Sequence, residues 1–210
     1  PTPTATQSAP NQSIKKLADY QTALEVDIRK ISNQKTLEDK QKLKQAFLPT
    51  YLDYVKAYMD SGDNYPNNVA VQVMVWLLDV MMINEGLVLA LHLIKQGQKM
   101  PERFDRDLPT FLCDFIYDWA KEMLKQDQSA GPYLFTLAEI IEHDNWDIHP
   151  VCISKIYVMA AKHKERTEDY QEALYYCLKA EIANPEKAGV KGLKERLEKQ
   201  IKAQEEQETQ

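Results

Sequence analysis

The stretch Val69-Ala70-Val71-Gln72-Val73-Met74-Val75-Trp76-Leu77-Leu78-Asp79-Val80-Met81-Met82-Ile83 contains only Gln72 and Asp79 as strongly polar residues. A run apolar on nearly every side belongs inside a fold, either as a covered core helix or as a strand of a buried sheet. The residues after Ile83 decide for helix. Leu87, Ala90, Leu91 and Ile94 recur at i, i+3, i+4 and i+7, and Gly97 and Pro101 stand where a helix stops. The run is shorter than the roughly 20 apolar residues that cross a bilayer, and Asp79 would be expensive there. The spacing predicts a buried helical hairpin from Val69 to Pro101, with its break at Asn84-Glu85-Gly86 and the other helices packed around it.

With 210 residues, 44% of them hydrophobic, the chain has room for one domain, or one domain with arms, and a sizeable core. Six glycines are few for a protein of tight hairpins, and Leu, Ala, Lys, Glu and Gln dominate, so helix is favoured over sheet. A formal charge of −6 restricts any nucleic-acid contact to a local patch. Cys113, Cys152 and Cys177 sit singly on helical patterns without C-x-x-C spacing and read as buried small hydrophobes in a reducing compartment. No signal-peptide pattern precedes them; residues 1–12, rich in Pro, Thr and Gln, read as a disordered lead-in.

An N-terminal helical hairpin arm is expected over residues 13–60. Ile14, Leu17, Leu24, Ile28 and Ile31 alternate at steps of three and four if Gln21 fills one place, a short heptad seam. Two readings fit it: a helix lying on its own body, or an oligomerisation seam for a second copy. Ser32-Asn33-Gln34 breaks the helix, and a second one carrying Leu37, Leu43, Ala46 and Phe47 runs to Pro49, where a further helix opens. Between them lies the one clearly basic stretch. Arg29, Lys30, Lys35, Lys40, Lys42 and Lys44 face only Glu38 and Asp39. Such lysines suit phosphate neutralisation with little sequence readout, although a solvated helix face has the same composition. Tyr51, Tyr54, Tyr58 and Tyr65 come next; aromatics beside lysines can stack on bases, but at helical spacing they more often fill a core.

The loop from Ser61 to Asn68 marks a boundary, and a helical body is expected over 66–185. Leu112, Phe115, Ile116, Trp119 and Met123 trace one helix, and Leu134, Leu137, Ile140 and Ile141 another opened by Pro132. Glu142 to His149 gathers histidines and carboxylates, but its spacing matches no metal motif, and no metal or cofactor is expected. Tyr170-Gln171-Glu172-Ala173-Leu174, with Ala180 and Asn184-Pro185, resembles the second helix of a tetratricopeptide-type repeat, and Ala90, Met100 and Pro101 close the central hairpin similarly. Two such units are too few for a solenoid. From Glu186 a C-terminal helix carries the narrow stripe Val190, Leu193, Leu197 and Ile201, suited to a coiled coil or a single docking contact; in this 186–210 segment the acidic tail from Gln204 reads as disordered. The expected fold is all-α: a helical bundle with tetratricopeptide-like helix pairs, an N-terminal hairpin arm and a coiled-coil-like C-terminal helix.

Val73-Met74-Val75-Trp76-Leu77-Leu78-Asp79, then Ala90, Lys95, Gly97 and Met100-Pro101, resemble the central signature of the small terminase subunit of tailed phages, often called the terminase endonuclease subunit. Leu48-Pro49 with Tyr51, Pro109 with Phe111, and Gly189-Val190-Lys191 with Glu195-Arg196-Leu197-Glu198 extend the likeness over most of the chain. The resemblance implies a homo-oligomer, often a ring, that binds double-stranded viral DNA at the packaging site in the infected bacterial cytoplasm. It would then hand that DNA to the large terminase subunit, which holds the motor. Two departures stand out. Family members carry a Gly-Asp type turn just after the position of Asp79, where this chain has Val80-Met81-Met82, and the C-terminus is acidic here but basic in some relatives. That leaves Arg29 to Lys44 as the DNA-binding candidate.

Other functions compete with this one. A helical-repeat adaptor that binds only protein would use the Tyr170 to Pro185 unit. A metal-dependent endonuclease would need residues such as His143, Asp144 and Asp147, yet the chain shows neither a G-x-x-x-x-G-K-[ST] phosphate loop nor a two-metal constellation. The expected protein is therefore non-catalytic.

Overall fold

A computed structural model describes residues 9–144 and 146–208, with side chains from 16 to 144 and from 146 to 207. All secondary structure among the described residues is helical: α1 (Ala9–Ser32), α2 (Leu37–Ser61), α3 (Asn68–Asp79), α4 (Ile83–Lys95), α5 (Leu108–Lys125), α6 (Tyr133–Asp144), α7 (Pro150–Arg166), α8 (Tyr170–Ala183) and α9 (Lys191–Glu208). The fold is all-α, as the composition and periodicity predict. Residues 1–8 of the expected lead-in lie outside the described residues, and α1 begins at Ala9, inside it. The chain divides into two compact units, residues 1–108 and 109–210. The loop expected to separate arm from body lies inside the first.

In that first unit α3 is the core. Every residue from Val69 to Leu78 is buried, Gln72 included, whose side-chain oxygen accepts from Arg103. Helix α3 starts on an Asn67 cap that accepts from the Ala70 amide at 3.0 Å. It ends in a Schellman turn: the Met82 amide reaches the Leu77 carbonyl and the Met81 amide the Leu78 carbonyl, each at 2.9 Å. Met81 therefore takes the left-handed conformation, φ 64°, where glycine is the usual residue. The break thus falls at Val80-Met81-Met82, where the family pattern puts it, and not at Asn84-Glu85-Gly86. Gly86 lies within α4, at a point where α4 comes very close to α3. A Cβ on it would sit 2.6 Å from Cδ2 of the fully buried Leu78.

Helices α1 and α2 cover α3. Leu17, Leu24 and Ile31 on α1, and Leu48, Tyr51, Tyr54, Val55 and Tyr58 on α2, are buried. Pro49 does not end a helix; α2 runs through it. A proline in mid-helix forfeits one backbone bond and costs about 3 kcal/mol. Pro49 and Gln45, whose carbonyl loses that bond, are both exposed, so water can take the carbonyl. The five buried residues on the other face, at about 1.5–3 kcal/mol each, hold the helix together.

In the second unit α7 and α8 form the closest helix pair, with α6 against α7 and α9 against α8. Small residues let α7 and α8 approach: Ala160, Ala161, Ala173, Cys177 and Ala180 are all fully buried. Ser154 on α7 donates to the Ala180 carbonyl at 3.1 Å. Val190, Leu193 and Leu197 are buried where α9 meets α8, so the narrow stripe serves as a docking contact within the chain. Helix α9 starts at Lys191, later than expected, and runs to Glu208 through the supposed tail, since Ala, Glu and Gln are good helix formers.

Candidate nucleic-acid interface

The basic stretch forms one end of the α1–α2 hairpin. The exposed carbonyls at the end of α1 are taken locally: the Ser32 hydroxyl donates to the Arg29 carbonyl at 2.8 Å and the Gln34 side chain to that of Lys30 at 3.1 Å. Arg29 and Lys30 occupy its last turn, where cations complement the helix dipole. Thr36 caps α2, accepting from the Asp39 amide at 3.0 Å, with Glu38 and Asp39 in the first turn. Four residues between two capped helices hold the cations of both at the same end.

The six candidate cations divide once side chains are placed. Arg29, Lys30, Lys35 and Lys42 are exposed and Lys40 is half-buried. Lys42 pairs with Glu38 one turn away at 2.6 Å, an exposed i,i+4 contact of a few tenths of a kcal/mol that a phosphate can replace. Lys30 is more committed: its ammonium lies 3.0 Å from Asp27 and 5.2 Å from the Phe47 ring centroid, while Asp27 also accepts from the buried Tyr51 hydroxyl at 2.8 Å. Lys44 turns inward. Only 14% exposed, it meets Asp79 at 2.6 Å, and Gln41 donates to the Asp79 carbonyl at 3.3 Å, so this part of α2 fastens the end of α3. Arg29, Lys35, Lys40 and Lys42 remain as the outward set, and the tyrosines that follow them in sequence are not available to stack on a base. Tyr51, Tyr54 and Tyr58 are core, joined through hydroxyls to Asp27, Asn67, Tyr65, Gln96 and Gln98. Burial pushes the Tyr58 phenol up to about 12.

Of the candidate oligomerisation seam, Leu17, Leu24 and Ile31 are buried within the first unit and Ile28 is half-buried. The side chain of Ile14 lies outside the described residues. These side chains of α1 are seated on the first unit itself.

The histidine and carboxylate segment is dispersed. His149 caps α7, its Nδ1 accepting from the Val151 amide at 3.2 Å. Glu142 is held by the Tyr175 hydroxyl at 2.8 Å and by Lys179, bonds that keep its carboxyl below the usual carboxylate range. His143, Asp144 and Asp147 are exposed, and Asn145 lies outside the described residues. Among the described residues no three His, Cys, Asp or Glu side chains gather as metal ligands would. None of the three cysteines is in a disulfide; burial pushes the Cys177 thiol up to about 11. No described helix is long and apolar enough to cross a membrane.

An all-α chain with one set of outward cations at a hairpin end is the class this geometry defines. Its sequence matches the model of the phage small terminase subunit over residues 21–150, and the chain belongs to that family. It is also 29% identical over 199 residues to the "Probable terminase, endonuclease subunit" of Haemophilus phage HP1 (strain HP1c1), covering 89% of this chain and 70% of the relative. No solved structure matches it.

Proposed function

We propose that this chain is the DNA-recognition and assembly subunit of a viral packaging motor. In the infected bacterial host it binds double-stranded viral DNA near the packaging site, works as a homo-oligomer and passes the DNA to the large terminase subunit. The supporting observation is that Arg29, Lys35 and Lys42 are exposed, with Lys40 half-buried beside them, at one end of the α1–α2 hairpin in a member of this family. Such a surface neutralises phosphates and sets orientation more than it reads bases.

Mobility shifts on a packaging-site fragment test this, with wild type beside a Lys35→Glu, Lys40→Glu, Lys42→Glu triple variant. Loss of the shift is expected, as is a salt dependence of log K shallower by about 0.9 for each phosphate contact removed. Undiminished binding by the triple variant would show that the hairpin end does not hold the DNA. Light scattering with and without DNA reads the assembly, where a defined multimer is expected.

A second reading is nuclease chemistry, carried by the relative's name. It requires that the purified chain nick DNA with magnesium or manganese and lose that activity when His143, Asp144 and Asp147 are replaced.

A further inference from the structure

Helices α2 and α4 both flank α3, and between them runs a groove of 340 Å³. Its floor is apolar, with Leu77 of α3 buried at the bottom and Leu52, Met59 and Val88 along the sides. Val88 is 51% exposed in the middle of α4, so the groove is open and its apolar surface is in water. Asp53 and Asp60 on α2 and Glu85 on α4 form the rim, with Lys56 as its one cation.

Those three carboxylates remain available to a cationic partner. Several acids elsewhere already have one: Glu38 with Lys42, Asp79 with Lys44, Glu142 with Lys179, Glu181 with Lys194. Asp53, Asp60 and Glu85 make no ion pair with any described residue. An apolar floor beside unpaired carboxylates repels phosphate and acidic peptide, and it attracts a surface that is aliphatic in the middle and cationic at its edges. The walls are two helices with no sheet edge to extend, which suits a helix and excludes strand addition. From Leu52 to Asp60 the groove follows about 12 Å of α2, roughly two helical turns.

We propose that the α2–α4 groove docks a short basic amphipathic helix from a partner protein. Aliphatic residues spaced i, i+3 and i+7 lie over Leu77, Met59 and Val88, and lysine or arginine residues beside them meet Asp53, Asp60 and Glu85. The inference rests on the first unit alone and does not depend on DNA binding. Along α2 the groove starts about 24 Å from the capped basic end, so a DNA and a protein partner can be held together.

The test uses the full chain and a fluorescein-labelled synthetic helix of about 14 residues, with leucines at i, i+3, i+7 and lysines on both flanks; a companion peptide carries glutamates in their place. Anisotropy at low salt should show the lysine peptide binding at about 10 µM and the glutamate peptide not binding. Val88→Asp, at an exposed position, should weaken binding about tenfold or more. The double variant Asp53→Lys, Glu85→Lys removes no apolar contact and should reverse the choice of peptide, while Glu195→Lys on α9 changes nothing. Far-UV circular dichroism checks that each variant is folded, and DNA mobility shifts of Val88→Asp should stay at the wild-type level whether or not the hairpin end binds DNA. Lysine-peptide binding that ignores both groove variants overturns the proposal, as does no binding at about 100 µM. A wild-type multimer that Val88→Asp reduces to single chains also overturns it, since the groove is then covered by another copy.

Discussion

The α3–α4 and α7–α8 hairpins turn in the same way and are covered differently. Each first helix ends in a Schellman turn whose left-handed residue is not glycine: Met81 (φ 64°) after α3 and Glu168 (φ 61°) after α7. Helix α3 is then buried from Val69 to Leu78, whereas α8 leaves Tyr175, Leu178 and Ile182 in solvent. The turn is a backbone device that tolerates several side chains, and the burial of a hairpin is decided by the helices around it. The close approach also differs. Alanines line the α7–α8 contact, while at the α3–α4 contact even a Cβ at Gly86 is excluded.

That exclusion carries the largest expected effect. Gly86→Val would place a Cβ 2.6 Å from Leu78 Cδ2 and 2.9 Å from its Cγ, with Leu78 fully buried and unable to turn away. Overpacking of this kind costs about 1–3 kcal/mol or more, and valine gains little of the helix propensity that alanine would return. A fall of about 3 kcal/mol in urea unfolding is expected, and adding Leu78→Ala should recover part of it, because the two positions share one contact.

Each hairpin is also tied at its turn by a lysine, from outside in one case and from within in the other. Lys44 reaches across from α2 to Asp79, whereas Lys164 holds Asp169 and Glu172 at the start of its own partner helix. Lys44→Met keeps the apolar stem and removes the charge, leaving a carboxylate that is 36% exposed. Such a half-solvated pair is worth less than a buried one, so a loss of about 1–2 kcal/mol is expected. DNA affinity should fall less with this variant than with Lys40→Glu; an equal or larger fall would put Lys44 back among the phosphate contacts.

The shared turn predicts a gain. A non-glycine residue in the left-handed region costs about 1 kcal/mol, and Met81 and Glu168 are both exposed, so neither substitution loses much packing. Met81→Gly and Glu168→Gly should each stabilise the chain by up to about 1 kcal/mol, less the entropy that glycine adds to the unfolded chain. If only one of them stabilises, the two turns are not equivalent.

These positions also show what can be read from a sequence. Periodicity placed the hairpins, because burial of α3 needs a continuous apolar run and burial of α7 and α8 needs small residues at helical spacing. It misplaced the α3–α4 break: Asn84-Glu85-Gly86 has turn composition, but Gly86 serves helix contact, and no propensity marks Met81 as a turn. Pro49 misled for the same reason, since propensity is overruled when five residues on the far face are buried. Charge counting found the basic hairpin end but could not see Lys44 turn to Asp79 across 35 positions. The acidic groove left no trace in the sequence, because Asp53 and Asp60 on α2 meet Glu85 only through the packing of α4.

The smallest effect concerns pH and belongs to α7. His163 is buried; its Nε2 donates to the Ala120 carbonyl at 2.9 Å and its Nδ1 is buried without a partner. Burial lowers its pKa from 6.5, outweighing the Ala120 bond, and Arg166 lowers it further. A proton on Nδ1 would be an unsatisfied buried donor beside a like charge. The unfolded chain therefore binds the proton more readily than the folded one, and stability rises with pH across the window between the depressed folded value and 6.5. Stability should be at its plateau above about pH 7 and lose somewhat under 1 kcal/mol by about pH 6, from this residue alone. His163→Gln retains a donor for Ala120 and removes the titration. The difference between the two urea midpoints should widen in favour of the variant as the pH falls from 7 to 6, and a difference constant over that range would show that His163 does not carry the effect.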